Sequence, residues 1–172
     1  GKIITWANNK DGRRSLAYQG NREVDIYGLF LEQNAYDEFR LSKDEFALLK
    51  EQKSAKKDSS TAWLPDFGGI DTRKVRLTIN SAGISDYALS ADGSKIYYLA
   101  SFEKGYDVWG SDTRTRETKI LAKLGSAGGK LELSKDGKSI FVVNNGSVLK
   151  IDDAGKTTPL AINTEMMLDA TA

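Results

Sequence analysis

Cysteine and histidine are both absent from the 172 residues of this chain. Without cysteine there is no disulfide framework, thiol nucleophile or thiolate metal site, and the redox compartment is left open. The missing histidine excludes more, because imidazole is the usual general base and the commonest transition-metal ligand near neutral pH. A serine triad, a cysteine–histidine pair or a histidine zinc site cannot be assembled from this chain alone. An excess of one charge is lacking too: 25 Lys+Arg stand against 24 Asp+Glu, for a formal +1. No global field exists to hold a phosphate backbone by counterion release, so nucleic acid is not an expected partner. No run approaches the roughly 20 apolar residues that cross a bilayer, and no basic region followed by an apolar core marks a signal peptide.

What is present is globular: 40% hydrophobic and 9% aromatic residues suffice for a sizeable core. Self-similarity is the main signal. Leu89-Ser90-Ala91-Asp92-Gly93-Ser94-Lys95-Ile96-Tyr97 aligns with Leu133-Ser134-Lys135-Asp136-Gly137-Lys138-Ser139-Ile140-Phe141 at an offset of 44. A third copy lies upstream, where Asp11-Gly12 leads through Leu16-Ala17-Tyr18 to Asp25-Ile26-Tyr27, the counterpart of Asp107-Val108-Trp109. A period near 44 with Asp-Gly turns between alternating runs fits four-stranded propeller blades. Asp-Gly supplies the positive φ of a tight turn, and Ile-x-Tyr or Ile-Phe-x-Val suits a pleated surface. The middle copy predicts strands near 85–89, 95–100, 106–111 and 118–122, and the last near 130–133, 139–144, 147–151 and 158–161. The three Asp-Gly pairs are expected in equivalent turns.

Asp11 and Asp92 are 81 residues apart rather than 44, so about 37 residues are extra. With Arg76-Leu77-Thr78 as the outer strand of the first blade, the insertion falls between its third and fourth strands, about 33–74. Ser42-Lys43-Asp44-Glu45 is a capping-box pattern that predicts a helix from Lys43 to about Lys53, with Phe46 and Leu49 on one face. The polar stretch from Lys53 to Ser60 reads as a mobile linker. Trp63, Leu64, Pro65, Phe67 and Ile70 form a second apolar cluster, expected to fold back and cover the blade edge.

The ordered set of Asp-Gly, an aliphatic-aromatic strand, Asp-Ile-Tyr or Asp-Val-Trp, and Arg-Leu-Thr resembles the WD40-like repeats of TolB-type propellers. More narrowly, Asp25-Ile26-Tyr27-Gly28-Leu29-Phe30, Lys74-Val75-Arg76-Leu77-Thr78, Ile96 to Phe102 and Lys119-Ile120-Leu121 are similar to the last blades of the second propeller in tricorn-type serine peptidases of the Bacteroides kind. The resemblance implies an all-β fold, a partial β-propeller of about three four-stranded antiparallel blades with a partly helical insertion in the first. Blade 1 would span 1–80, blade 2 81–125 and blade 3 126–163, with 164–172 an exit linker toward a further domain. Gly1 directly ahead of a strand-like run, and an end at Ala172 without a natural stop, read as a segment cut from a longer chain. In that family the serine nucleophile and its partners lie downstream of the propellers, so none is carried over. The implied role is a non-catalytic propeller of a periplasmic or secreted peptidase, aiding substrate access, binding or assembly. A TolB-like interaction propeller without an enzyme, or the propeller of a prolyl-oligopeptidase-like hydrolase, are the alternatives. Partners would be polypeptide substrates or other domains and subunits of the parent.

Candidate chemistry is weak against structural readings. The carboxylates of Asp11, Asp25, Asp92, Asp107 and Asp136 recur with the blades and could suggest calcium, but turn aspartates bond their own backbone. The pairs Asp37-Glu38, Asp44-Glu45 and Asp152-Asp153 are adjacent and flanked by lysine, a solvated pattern rather than a glycosidase pair. Ser90 and Ser134 repeat with the turn, as a nucleophile would not. Trp6, Tyr97, Tyr98, Phe102, Tyr106, Trp109 and Phe141 have strand spacing that suits packing between blades. Gly125, Gly128 and Gly129 lie between blades, not between a strand and a helix, so they form no phosphate loop. No catalytic, cofactor-binding or metal residue is assigned, and no cofactor is expected. Three blades do not close a ring, so end faces carrying Ile4, Trp6 and Leu16 at one side and Ile140, Val142 and Leu149 at the other should be exposed and drive self-association.

Overall fold

A computed structural model describes residues 2–12, 23–55, 64–152 and 154–161. Their strands form three antiparallel sheets. The first contains β1 (Ile3–Asn8), β2 (Asp25–Phe30) and β3 (Lys74–Arg76) in that order; helices α1 (Gln33–Arg40) and α2 (Lys43–Ala55) and a 3-10 turn (Ile70–Arg73) lie between β2 and β3. The second is the meander β4 (Gly83–Leu89), β5 (Lys95–Ser101), β6 (Tyr106–Asp112) and β7 (Thr118–Ser126). The third is the meander β8 (Lys130–Leu133), β9 (Ser139–Asn144), β10 (Ser147–Asp152) and β11 (Thr157–Leu160). These are propeller blades with a helical insertion in the first.

The middle blade is buried from both sides, and its sequence says why. Ile96-Tyr97-Tyr98-Leu99-Ala100 in β5 is a continuous apolar run, each member at most 5% exposed, as a strand covered on two faces requires. Alternation divides it. Ile96, Tyr98 and Ala100 join Ile26, Leu77 and Ala82 in a cluster with the first sheet. Tyr97 and Leu99 join Val108, Ala122, Leu131, Ile140, Val142 and Ile151 in a cluster with the third.

Polar contacts fix the register between neighbouring sheets. Ser85 Oγ donates to Gly129 O at 2.9 Å and accepts from Gly129 N at 3.1 Å, and Leu131 N donates to Asp86 Oδ2 at 3.0 Å. A bulge between Ile84 and Asp86 breaks the β4 ladder beside these contacts. Backbone bonds between Val24 and Ala82, 2.8 and 3.2 Å, tie the first sheet to the segment entering β4.

The turn equivalence expected for Asp11-Gly12 does not hold. β1 pairs directly with β2, from Ile3↔Phe30 to Asn8↔Asp25, whereas Asp92-Gly93 joins β4 to β5 and Asp136-Gly137 joins β8 to β9. Since β2 matches β6, β1 matches β5, and Asp11-Gly12 occupies the next turn of the meander. An Asp-Gly pair specifies a tight reversal but not which two strands it joins. Leu16, Ala17 and Tyr18 lie outside the described residues.

The last blade's end face is also differently composed. Ile140 and Val142 are 2% and 0% exposed because they face the middle blade. Leu149, paired with Val142, shares that side and is half-buried. Strand parity puts Phe141, Val143, Val148 and Leu160 on the outer side, where Val143 and Leu160 are exposed. At the other end Ile4 is exposed and Trp6 half-buried, stacked on Tyr27 at 5.8 Å; Leu16 is outside the described residues.

Candidate functional site

Each recurrent polar residue has a structural partner. The two Asp-Gly turns after β4 and β8 are built alike. Ser90 Oγ donates to Asp92 Oδ1 at 2.8 Å and accepts from Lys95 N at 2.9 Å; Ser134 Oγ donates to Asp136 Oδ1 at 2.6 Å and accepts from Ser139 N at 2.9 Å. Partial burial would raise the Asp92 carboxyl, but bonds from Ser94 and Ser90 and the charge of Lys50 outweigh it and hold it at about 2. The same serine and backbone bonds lower Asp136. These serines therefore hold turns.

Asp25 and Asp107 occupy equivalent positions at the start of the third strand; Asp107 reaches the end of the fourth, and Asp25 reaches the end of the fourth and the segment leaving it. Asp25, fully buried, accepts from Arg76 Nη2, Thr78 Oγ1 and Ser81 Oγ, each at 2.8 Å. Asp107 accepts from Leu124 N at 2.8 Å and Gly125 N at 2.9 Å. Each ties adjacent strands together, as in an aspartate-capped turn. Asp11 accepts from the Tyr27 hydroxyl, and burial followed by that contact raises the Tyr27 phenol to about 12. Among the described residues no group of three or more His, Cys, Asp or Glu could hold a metal ion.

The site with chemical potential lies where the insertion meets the middle blade. The capping box forms: Ser42 N donates to Glu45 Oε2 at 2.8 Å and Glu45 N to Ser42 Oγ at 3.3 Å. It starts α2 and places Phe46 and Leu49 half-buried on one side, with Leu48 exposed. Helix α1 was not legible from the sequence: its N-terminus has no side-chain cap, and its closing carbonyls are satisfied from elsewhere. Arg114, in the β6–β7 turn, donates through Nη1 to Glu38 O at 2.6 Å, Phe39 O at 2.8 Å and Leu41 O at 3.3 Å. Its guanidinium also sits 3.6 Å over the Phe46 ring. One arginine of the middle blade thus holds both helices.

The second apolar cluster does not fold back as expected. Leu64 and Phe67 are 78% and 71% exposed, Pro65 and Ile70 are half-buried, and Trp63 lies outside the described residues. Polar bonds hold this segment instead: the fully buried Arg73 donates to Asp66 O and to Gly68 O, and Asp66 N donates to Leu31 O. The linker expected to begin at Lys53 does not begin there, since α2 continues to Ala55 and Lys53 Nζ bonds Glu38 Oε1 at 2.5 Å; residues 56–60 are outside the described set.

Between the insertion, the first sheet and the Asp92-Gly93 turn lies a cleft of about 400 Å³. Phe30, Phe39 and Phe46 line it with Ile3, Ala35 and Ala91, and Lys2, Glu38, Asp92 and Arg114 complete it. Phe30 and Phe39 have ring centroids 4.8 Å apart, tilted by 44°. Such a cleft can take an apolar group at a polar rim; among the described residues no nucleophile and base are positioned in it.

The fold is shared with solved structures. The chain is similar to TolB from Acinetobacter baumannii, TM-score 0.54, at 13% identity over 94% of this chain and 30% of that one. It is similar to the tricorn protease, TM-score 0.53, at 14% identity over 93% of this chain and 16% of that one. It therefore spans well under half the length of either relative, and what it shares with them is the propeller fold. No protein-family model and no curated protein matches the chain.

Proposed function

We propose that this chain is a polypeptide-binding propeller segment of a larger tricorn-type serine peptidase, acting outside the cytoplasm, in which hydrolysis belongs to another part of the protein. The observation that carries the binding role is the apolar cleft that the Arg114-latched insertion builds against the middle blade. The blades provide a rigid frame, and binding groups placed on connections over such a frame are the usual arrangement. Support for the division of labour comes from the composition: with no histidine or cysteine in the chain, the usual base and thiol for peptide hydrolysis must come from elsewhere. The likeness to the tricorn protease supports the parent. The comparable likeness to TolB favours a second reading, an interaction propeller with no peptidase attached.

Titration of fluorescein-labelled β-casein with the chain should give a saturable rise in anisotropy with the casein left intact. Absence of binding would overturn the binding role, and casein cleavage abolished by a substitution within this chain would overturn the division of labour. The coding sequence downstream separates the two parents: a PDZ-containing serine peptidase supports the first, and a stop codon the second.

A further inference from the structure

We infer that the cleft between the insertion and the middle blade takes an aromatic side chain of a bound polypeptide. This rests on the polypeptide-binding reading above and names what is recognised. Size comes first: about 400 Å³ lies at the low end of ligand sites, which run from about 300 to 1,000 Å³. It fits one large side chain and its flanking backbone, not a folded partner.

Charge then narrows the class. Every ionic group around the cleft already has a partner. Lys2 pairs with Glu32 at 2.7 Å, Glu38 with Lys53 at 2.5 Å and Asp92 with Lys50 at 3.6 Å, while Arg114 donates through Nη1 to three carbonyls and its charge faces the carboxylates of Asp112, Asp92 and Glu38. A carboxylate or ammonium entering here would lose water without gaining a free counter-charge, which is costly. The complementary occupant is neutral.

The lining chooses between aromatic and aliphatic. Phe30, Phe39 and Phe46 dominate the apolar wall. Phe30 and Phe39 already pack ring against ring with their planes tilted by 44°, and the guanidinium over Phe46 places a cation against the aromatic surface. Ring–ring contacts add attraction beyond area burial, equivalent to about a fivefold gain in affinity.

Labelled Gly-Gly-Phe-Gly-Gly, and the same peptide with Leu or Asp at its centre, provide the probes. The Phe peptide should bind about fivefold tighter than the Leu peptide, and the Asp peptide should not saturate. Ala91→Trp fills the cleft from an exposed turn position and should abolish Phe-peptide binding with an unchanged circular dichroism spectrum. Phe46→Leu should reduce the Phe-over-Leu preference. Equal affinity for the Phe and Leu peptides, or full Phe-peptide binding by the folded Ala91→Trp protein, would overturn the inference. If β-casein binds in either case, the general reading stands and the aromatic cleft alone falls. If neither casein nor any peptide binds, both fall.

Discussion

Truncating Asp25 to alanine should destabilise the chain far more than the same change at its repeat equivalent, Asp107. Asp25 is fully buried and bonded to Arg76, Thr78 and Ser81. Its removal takes the acceptor from the Thr78 hydroxyl, itself 1% exposed, which keeps only the bond it accepts from Ile26 N, and leaves a guanidinium without its counter-charge. Breaking a buried pair from one side costs about 3–5 kcal/mol. The Arg76 side chain is 35% exposed, so water recovers part of this, and the lower end, about 3 kcal/mol, applies. Asp107 accepts two backbone N–H groups, one from half-buried Leu124 and one from exposed Gly125. Water can replace at least the second, so Asp107→Ala should cost about 1 kcal/mol. With a urea m-value of about 2 kcal/mol/M, the two midpoints should differ by roughly 1 M. Equal midpoints at equal m-values would refute the view that burial, not repeat position, sets the worth of these aspartates. A double-mutant cycle with Arg76→Ala should show coupling, because the two groups share one hydrogen bond.

Three further outcomes are expected. Arg114→Ala uncaps α1 and removes the ring contact with Phe46, so amide exchange should accelerate in α1 and α2 while β5 and β9 keep their protection; uniform acceleration would refute a local latch. Asp92, held at about 2 against an ordinary value of 3.8, contributes stability that is present above pH 3.8 and lost as pH falls toward 2. The side chain is 48% exposed, so after screening the contribution is about 1 kcal/mol, and Asp92→Asn should flatten acid unfolding in that window. Leu99→Ala, at a site 0% exposed between the second and third blades, should cost about 2–5 kcal/mol by denaturant unfolding, whereas Leu48→Ala, 59% exposed, should stay within about 0.5 kcal/mol.

The repeat made much of this structure legible in advance. In the two later blades every strand was placed within a few residues, because Asp-Gly turns and period-two alternation are local signals written into consecutive side chains. The capping box located α2 for the same reason: Ser42 and Glu45 complete it between themselves. The position of the insertion followed from reading Arg76-Leu77-Thr78 as the outer strand of the first blade, where β3 runs Lys74–Arg76. By contrast, α1 ends on carbonyls capped by Arg114, more than 70 residues away in sequence, and no local pattern announces such a partner. The exposure of Leu64 and Phe67 was equally hidden, since apolarity states what burial would gain and not whether a neighbour is present.

The chain's own sequence determined its blade repeat, its strand periodicity, the start of α2 and the lack of imidazole or thiol chemistry, all consequences of residue identity and short spacing. Tertiary structure decided which turn Asp11-Gly12 occupies, which faces Ile140 and Val142 cover, and that Phe30, Phe39 and Phe46 meet beneath Arg114 to form a cleft. These depend on how sheets stack and on contacts between distant segments, where the gain from burial and pairing is set by partners that sequence proximity does not supply.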